Sequence, residues 1–278
     1  MESAFIPKIS VVTACFNHGK YIGEMIESVL CQTFQDFEII IVNDGSTDNT
    51  RQILDEIKHE KIVIRHTEHL GPSHARNTAI KNARAQIIFN LDADDKIAFD
   101  LLEKGYNVFS GENNAGIVYS NCRYFGAKTG NMRNGVYSLK GMLSGNKIVS
   151  AAFLRMNDWE KTGGYSERFI YGLEDWDLWL SIIELGREVI KIPDSLVYYR
   201  TYNKISRSRS GRRKSDRMVA ESSNALIFER HRELYSQFPD LFKKYSKNTT
   251  KTISESFLVR LSRNFIFLIK QKVSFLIR

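Results

Sequence analysis

The order of apolar and polar residues predicts alternating strands and helices over the first third of the chain. Continuous apolar runs predict four strands, at Ile9–Ala14, Phe37–Val42, Ile62–His66 and Ile87–Leu91. The second run reads FEIIIV, which is unbroken rather than alternating and is typical of parallel strands covered on both faces. Between the runs, apolar residues recur at helical spacing, as they do from Tyr21 to Leu30. This alternation predicts an α/β fold with a mostly parallel sheet flanked by helices.

The pattern is less regular farther along the chain. Helices are predicted near Thr50–Ile57, from Ser73 to Ala83 and over Glu174–Leu185, and the run IVYSNCRYF at 117–125 predicts another strand. Loops rich in glycine and asparagine surround that strand within residues 105–160. The tail beyond the basic run SRSRSGRRKSDR is helical in pattern.

Charge divides the chain unevenly and indicates a boundary. The formal net charge is +8, yet residues 212–278 hold 15 Lys/Arg and 6 Asp/Glu, a surplus of +9, so residues 1–211 carry −1. We therefore expect a main domain at 1–205. A basic linker and an amphipathic helical tail are expected at 206–278.

Several classes of protein are disfavoured by what the sequence contains. The three cysteines, Cys15, Cys31 and Cys122, form no CxxC pair and no cluster with histidine, which suits a reducing compartment. The N-terminus has Glu2 and lacks the basic and then apolar order of a signal peptide, so a cytoplasmic protein is expected. No GxGxxG or P-loop string is present, and the basic tail resembles no nucleic-acid-binding module.

The stretch Asp92-Ala-Asp94-Asp95 directly follows the fourth predicted strand. Ligands of parallel sheets collect at the carboxyl ends of strands, and the segments 14–17 and 43–48 fall at equivalent places. A helix cap would explain one carboxylate, whereas a Mg²⁺ or Mn²⁺ site that is shared with phosphate oxygens would explain the group. Phosphatases of the haloacid dehalogenase type also use Asp-x-Asp, but on their first strand and without a lysine in the place of Lys96.

A second acidic cluster lies in YGLEDWDLWL, where Glu174, Asp175 and Asp177 surround Trp176. Two interpretations are open from the residues alone. The acids could be first-turn residues of a helix whose tryptophans are core. Alternatively, one carboxylate could be a general base beside an aromatic surface on which a sugar stacks.

Five strings in order resemble the signatures of family-2 glycosyltransferases with the GT-A fold. They are ISVVTACFNHGKYIGEMIESVLCQTF, EIIIVNDGSTDNT, HLGPSHARNTAI, IIFNLDADD and GGYSERFIYGLEDWDLWL, and together they cover about residues 7–202. The resemblance implies a Rossmann-like, mostly parallel central sheet, with a nucleotide-binding half at 1–95 and an acceptor and catalytic half at 96–205. It also implies transfer of a sugar from a nucleotide donor, most often a UDP-sugar, to an acceptor hydroxyl with inversion.

The resemblance also implies roles for individual residues. Donor-binding positions would be Ala14, Phe16, Asp44, His69, Arg76 and Asp92. Within that set, Ala14 and Phe16 would hold the base, Asp44 would hydrogen-bond it, and Asp92 would face the ribose. Asp94 would bind the divalent cation, Mg²⁺ or Mn²⁺, with Asp95 as a further participant. Asp175 of the Glu174-Asp175 pair would be the catalytic base, next to Trp176.

Three positions depart from the family pattern. His69 stands where asparagine is usual, which bears on base preference, and Ala14 replaces a frequent proline. Tyr202 lies where a histidine is common, which weakens the prediction of another metal or phosphate contact there. Basic residues that could close over the diphosphate follow the acidic helix, namely Arg200, Lys204 and Arg207.

The final segment, RLSRNFIFLIKQKVSFLIR, has apolar runs too short to span a bilayer. On a helix, its apolar residues share one face and most of its basic residues share the other. It could pack on the domain or on a second copy in a homo-oligomer, or lie peripherally on the inner membrane against anionic lipid. A lipid-linked acceptor would suit the second interpretation.

The sequence therefore predicts a metal-dependent inverting glycosyltransferase that acts on a glycan or lipid-linked acceptor in surface polysaccharide synthesis. Two alternatives stay open. One is a non-catalytic partner subunit that binds nucleotide-sugar, against which intact Asp94 and Asp175 argue. The other is a glycosyltransferase that acts on protein, which would need a peptide groove.

Overall fold

The computed structural model describes residues 6–132, 136–169, 172–202, 223–247 and 249. Backbone contacts divide the chain into two compact units, Met1–Lys204 and Ile205–Arg278. The predicted split of the main domain into nucleotide-binding and acceptor halves stays a prediction.

The first unit is built around a nine-stranded sheet. Its strands are β1 (Ile9–Cys15), β2 (Phe37–Asp44), β3 (Ile62–Thr67), β4 (Ile87–Asn90), β5 (Lys96–Ile97), β6 (Ala115–Gly126), β7 (Gly130–Asn131), β8 (Ala152–Arg155) and β9 (Glu188–Thr201). Its helices are α1 (Ile22–Leu30), α2 (Thr50–Glu56), α3 (Pro72–Lys81), α4 (Leu101–Gly111), α5 (Leu139–Leu143), α6 (Met156–Thr162) and α7 (Glu174–Glu184).

Strand direction explains where the site forms. The order across the sheet is β3-β2-β1-β4-β8-β6-β9-β5, with β7 paired to β6. β1, β2, β3 and β4 pair in parallel, and β6 pairs in parallel with β9. Because β8 is antiparallel to both β4 and β6, β6 and β9 run in the same direction as β4. The carboxyl ends of β4 and β9 therefore lie at the same edge of the sheet.

The core confirms the predicted fold class. All eight residues of β2 are buried, as its unbroken apolar run predicts for a strand covered on both faces. Helix α1 buries Ile22, Met25, Ile26 and Val29 against the sheet, in the helical spacing of the sequence. The predicted strands and helices of the first third agree with the observed ones to within about two residues at each end, as expected for boundaries.

The described part of the second unit is helical, as the sequence predicts. Residues 223–230, α8 (Arg232–Ser236) and residues 239–247 form helices. The ring of Phe228 contacts Tyr235, Phe242 and Tyr245, with centroids 5.1 to 6.3 Å apart. The predicted amphipathic segment at 260–278 lies outside the described residues. Of the helices that are described, none combines the length and apolarity needed to cross a bilayer.

Candidate active site

Arg76 joins the two acidic clusters that the sequence singled out. It is buried on α3, and its Nη2 donates to Asp92 Oδ1 at 2.9 Å while its Nη1 donates to Glu174 Oε1 at 2.6 Å. Ser150 Oγ donates to the second oxygen of Asp92 at 2.8 Å. Burial by itself raises the pKa of Asp92, but the charge of Arg76 and these hydrogen bonds outweigh it, so that pKa is lowered. The end of β4 and the start of α7 are thereby held together.

The carboxylates of Asp94 and Asp95 meet the end of β9. The hydroxyl of Tyr202 donates to Asp94 Oδ2 at 2.6 Å, and His18 Nε2 lies 4.0 Å from the same oxygen. The backbone N–H of Arg200 donates to Asp95 Oδ1 at 2.8 Å. Asp95 is buried, and burial together with the charges of Asp92 and Asp94 raises its pKa well above the usual value.

The side chain of Arg200 is held by the protein. Its guanidinium lies between the rings of Tyr21 and Phe125, 4.6 and 4.3 Å from their centroids. Its Nε donates to the backbone oxygen of Asp94 at 2.7 Å, and its Nη2 lies 3.1 Å from Glu24 Oε2. Arg200 thus supports the acidic turn, and the closing of one of the three basic residues over a diphosphate stays a prediction. Lys204 and Arg207 lie outside the described residues.

The carboxyl ends of β1 and β2 bring together other residues that were predicted to bind the donor. Ala14 pairs with Val42 across the two strands. Just beyond, the ring of Phe16 stacks on His69 with centroids 4.0 Å apart. Asn17 adopts a left-handed conformation (φ 57°), and its Oδ1 accepts from the N–H of Thr47 at 2.7 Å. The two loops are therefore tied to each other.

Asp44 is committed to the turn before α3. It is 2% exposed, and its carboxylate accepts from His69 Nδ1 and from the backbone N–H groups of Leu70 and Gly71, at 2.9, 2.8 and 3.0 Å. Gly71 has φ 100°, a conformation that glycine adopts without strain. The structure therefore shows Asp44 fixing this turn, and a direct contact from Asp44 to a base stays a prediction.

Asp175 lies at the start of α7, after a turn in which Leu173 takes a left-handed conformation (φ 75°). Its Oδ1 accepts from the N–H of Trp176 at 2.7 Å, and its Oδ2 accepts from Asn146 Nδ2 at 3.0 Å. Burial, followed by the charge of Glu174, raises the pKa of Asp175 to about 7, against the lowering effect of Arg76. A carboxylate with this pKa can accept a proton near neutral pH.

Trp176 is packed rather than presented to a ligand. It is 3% exposed, and its Nε1 donates to the backbone oxygen of Met142 at 2.9 Å. The stacking surface expected beside Asp175 is therefore not formed by Trp176 in this structure. Asn146 and Ser150, which the sequence reading missed, contact the site from the irregular segment between α5 and β8, where no motif signals them.

The side chains around Asp94 that could ligate a metal suit a cation that takes most of its ligands from a substrate. Among the described residues, no group of three or more His, Cys, Asp or Glu side chains is close enough to hold a metal. Mg²⁺ commonly uses one or two protein carboxylates and completes its shell with phosphate oxygens and water. In the described region, two buried polar atoms of residues close to Asp94 have no hydrogen-bond partner, namely Asp95 Oδ2 and His18 Nδ1. A bound cation with its water or phosphate ligands could supply the missing partners. The residues present fit such a group.

Solved structures share this fold. S. aureus TarS 1–349, in complex with UDP-GlcNAc, has a TM-score of 0.68 at 17% identity, over 86% of this chain and 71% of that chain. The mannosyltransferase PcManGT from Pyrobaculum calidifontis, in complex with GDP-Man and Mn²⁺, has a TM-score of 0.57 at 17% identity, over 95% and 81% of the two chains. At such identities the likeness establishes the GT-A fold alone.

Sequence relatives and a family model give the assignment. Chondroitin synthase of Escherichia coli is 30% identical over 187 residues, 65% of this chain but only 27% of that protein. TuaG of Bacillus subtilis, named for teichuronic acid biosynthesis, is 27% identical over 253 residues, 88% and 97% of the two chains. Residues 10–169 match the model described as "Glycosyl transferase family 2", which ends before Glu174. The chain belongs to glycosyltransferase family 2.

Proposed function

We propose that this chain transfers a sugar from a nucleoside-diphosphate sugar, a UDP-sugar by preference, to an acceptor hydroxyl with inversion at the anomeric carbon. One observation carries the proposal. The buried Arg76 holds Asp92, at the ligand edge of the sheet, and Glu174, next to Asp175, in a single hydrogen-bonded network. A base that is to act on an acceptor beside a bound donor needs this fixed relation between the two sides.

Asp175 would act as the general base. The acceptor oxygen forms a bond to the anomeric carbon while the bond from that carbon to the β-phosphate oxygen breaks, and the electron pair leaves with the diphosphate. The hydroxyl proton passes to the Asp175 carboxylate. Attack and departure on opposite faces of the sugar give inversion. The raised pKa of Asp175, about 7, keeps its basicity near that required at neutral pH.

Asp94 would hold a divalent cation, Mg²⁺ or Mn²⁺, together with the donor's diphosphate. The cation, when bound, supplies positive charge that offsets the charge on the leaving group. Tyr202 donates to Asp94 Oδ2 in this structure, and it would release that oxygen or orient it for the cation. The nucleotide base would be bordered by Ala14, Phe16 and His69.

Surface polysaccharide synthesis is the proposed setting. Relatives are named for chondroitin synthesis and for teichuronic acid biosynthesis, and a fold neighbour is solved with UDP-GlcNAc. The acceptor would be a glycan or a lipid-linked glycan, and the enzyme would work in the cytoplasm or peripherally on the cytoplasmic face of the membrane.

The test begins with nucleotide binding. Purified protein would be titrated calorimetrically with UDP, GDP and TDP, each with and without Mn²⁺, and UDP-sugars would follow with release of UDP as the readout. We expect UDP to bind in a metal-dependent manner, and Asp175→Asn to retain UDP while losing transfer. Failure of all three nucleotides to bind with metal present would overturn the proposal.

A further inference from the structure

We infer that Asn146 is the positioning residue for the catalytic base: its side-chain amide orients the Asp175 carboxylate and favours its charged form. The inference rests on the proposed function, because it gives Asn146 a role through Asp175. It concerns a residue in the irregular segment between α5 and β8, where the family signatures carry no motif.

The orientation of the Asn146 amide is fixed by two hydrogen bonds. Its Oδ1 accepts from the backbone N–H of Ile148 at 3.1 Å, so its Nδ2 is the end that faces Asp175. An amide turned the other way would set an oxygen against the carboxylate and a donor against an N–H. The contact therefore donates a hydrogen to Asp175 Oδ2, and this atom lies opposite the oxygen that accepts from the N–H of Trp176.

The segment that carries Asn146 is attached at both of its ends to the site. On the α5 side, the backbone oxygen of Met142 accepts from the buried indole of Trp176 at 2.9 Å. On the β8 side, Ser150 donates to Asp92 at 2.8 Å, and its backbone oxygen accepts from Asn90 Nδ2 at 2.9 Å. Asn146 is thus held between two anchors, which is what a residue that orients another group requires.

The surroundings of Asp175 show why a neutral donor suits this place. Three charged groups shift the pKa of Asp175: Glu174 on α7 and Asp92 at the end of β4 raise it, and Arg76 on α3 lowers it. The charge of Asp175 in turn helps to raise the pKa of the buried Tyr165. A lysine in the place of Asn146 would add a cation and suppress proton acceptance. The amide instead stabilises the carboxylate by a hydrogen bond and leaves the group basic.

The experiment follows the titration of Asp175 directly, so that it does not depend on turnover. The side-chain carboxyl carbon of Asp175 would be titrated by NMR in ¹³C-aspartate-labelled full-length protein, and assigned by its disappearance in Asp175→Asn. The variants are Asn146→Ala and the isosteric Asn146→Asp, which keeps an oxygen to accept from Ile148. The control is Ser144→Ala, because Ser144 lies in the same segment and its Oγ donates to the backbone oxygen of Lys140 rather than to Asp175.

We expect the pKa of Asp175 to rise by about one unit in Asn146→Ala, the loss of a hydrogen bond to a charged group. The rise should be larger in Asn146→Asp, which sets a second carboxylate against it, and absent in Ser144→Ala. With a UDP-sugar and acceptor, the acidic limb of kcat/KM should move by the same amount while KM for the donor changes less than about twofold.

Two results would overturn the inference. The first is an Asp175 titration unchanged in both Asn146 variants. The second is an equal shift in Ser144→Ala, which would show that the segment acts through the fold. If the titration shifts as expected but the wild-type protein neither binds UDP nor transfers sugar, the contact is upheld and the proposed function fails instead.

Discussion

Asp92 and Asp175, one from each acidic cluster, are the same kind of residue in opposite electrostatic settings. At the end of β4, Asp92 faces the buried cation Arg76, and its pKa is lowered. At the start of α7, Asp175 accepts only from the neutral N–H groups of Asn146 and Trp176 among its described hydrogen bonds, and its pKa rises to about 7. The first setting suits a carboxylate that must stay charged, and the second suits one that must take up a proton.

The largest effect on the rate of sugar transfer is expected when the carboxylate of Asp175 is removed. Asp175→Asn cannot accept the acceptor's proton, and we expect the rate of transfer to fall by about 10²–10⁴-fold. Affinity for UDP should be unchanged, because the donor side is untouched. Initial rates of UDP release together with calorimetry would measure both, and a variant with near wild-type rates would assign the base elsewhere.

Breaking the link between the clusters should cost stability as well as binding. Arg76→Ala leaves Asp92 and Glu174 without their buried partner, and we expect the free energy of unfolding to fall by about 3–5 kcal/mol. Urea denaturation would measure the loss.

Arg187→Ala is the matched control for Arg76→Ala. Arg187 Nη2 pairs with the buried Asp158 at 2.8 Å, away from the two clusters. It should lose similar stability but keep UDP affinity, whereas Arg76→Ala should lose both. Equal UDP affinity in the two variants would show that the Arg76 bridge is structural only.

The first cluster can be tested through the cation. Asp94→Asn should weaken metal-dependent UDP binding about 10- to 100-fold, since an amide oxygen is a poorer ligand for a hard cation. The same loss should follow from chelation of the metal in wild-type protein. Calorimetric titration of UDP with and without Mn²⁺ would show it, and wild-type behaviour in Asp94→Asn would move the cation to another residue.

A fall in pH should affect Asp175 before Asp92, because the pKa of Asp175 is raised and that of Asp92 is lowered. Below pH 7, kcat/KM should fall about tenfold per unit as Asp175 becomes protonated. The sign for stability is opposite: the folded state binds this proton more tightly than an unfolded chain, so the stability contributed falls as pH rises from about 4 to about 7. Asp175→Asn should remove the dependence of kcat/KM and reduce that of stability, part of which remains because the pKa of the buried Asp95 is also raised. An unchanged kcat/KM profile in that variant would assign the protonation to another group.

The smallest effect is expected at the edge of the first cluster. Tyr202→Phe removes the hydroxyl that donates to Asp94, and Mn²⁺-dependent UDP affinity should increase roughly fivefold because the cation meets one competitor fewer. Tyr21→Phe is the control, since it keeps the ring that contacts Tyr202 at 5.5 Å. A decrease in affinity would make Tyr202 a helper of the cation rather than a competitor.

The sequence was sufficient to predict the fold of the N-terminal part of the molecule, where strands and helices follow one another in turn. There, unbroken strands such as FEIIIV and the helical spacing of α1 give strong local signals, and strand ends mark the ligand edge. The carboxylates of Asp92, Asp94 and Asp175 could be singled out because several acids directly follow an apolar run or open a helix.

The partners of those carboxylates could not be read from the sequence. The sequence around Asn146 and Ser150 shows no helical or strand periodicity. The two side chains reach the site only because α5 and β8 place them beside α7 and β4. Trp176 was open to two interpretations because exposure depends on what packs against a helix, and α5 covers it. Arg200 was one of three basic residues that could close over a diphosphate, and its contacts with the rings of Tyr21 and Phe125 had no signal in the sequence.

The late arrival of β9 has a consequence for synthesis of the chain. Arg200 and Tyr202 reach their partners Asp95 and Asp94 across 105 and 108 positions of sequence. On the ribosome, the acidic turn emerges long before the strand that completes it, and Asp95 would at that stage lack the N–H that it accepts from. The sheet can begin to form from its N-terminal strands, but the acidic turn gains its contacts from Arg200 and Tyr202 only after β9 has been made and has paired in the sheet.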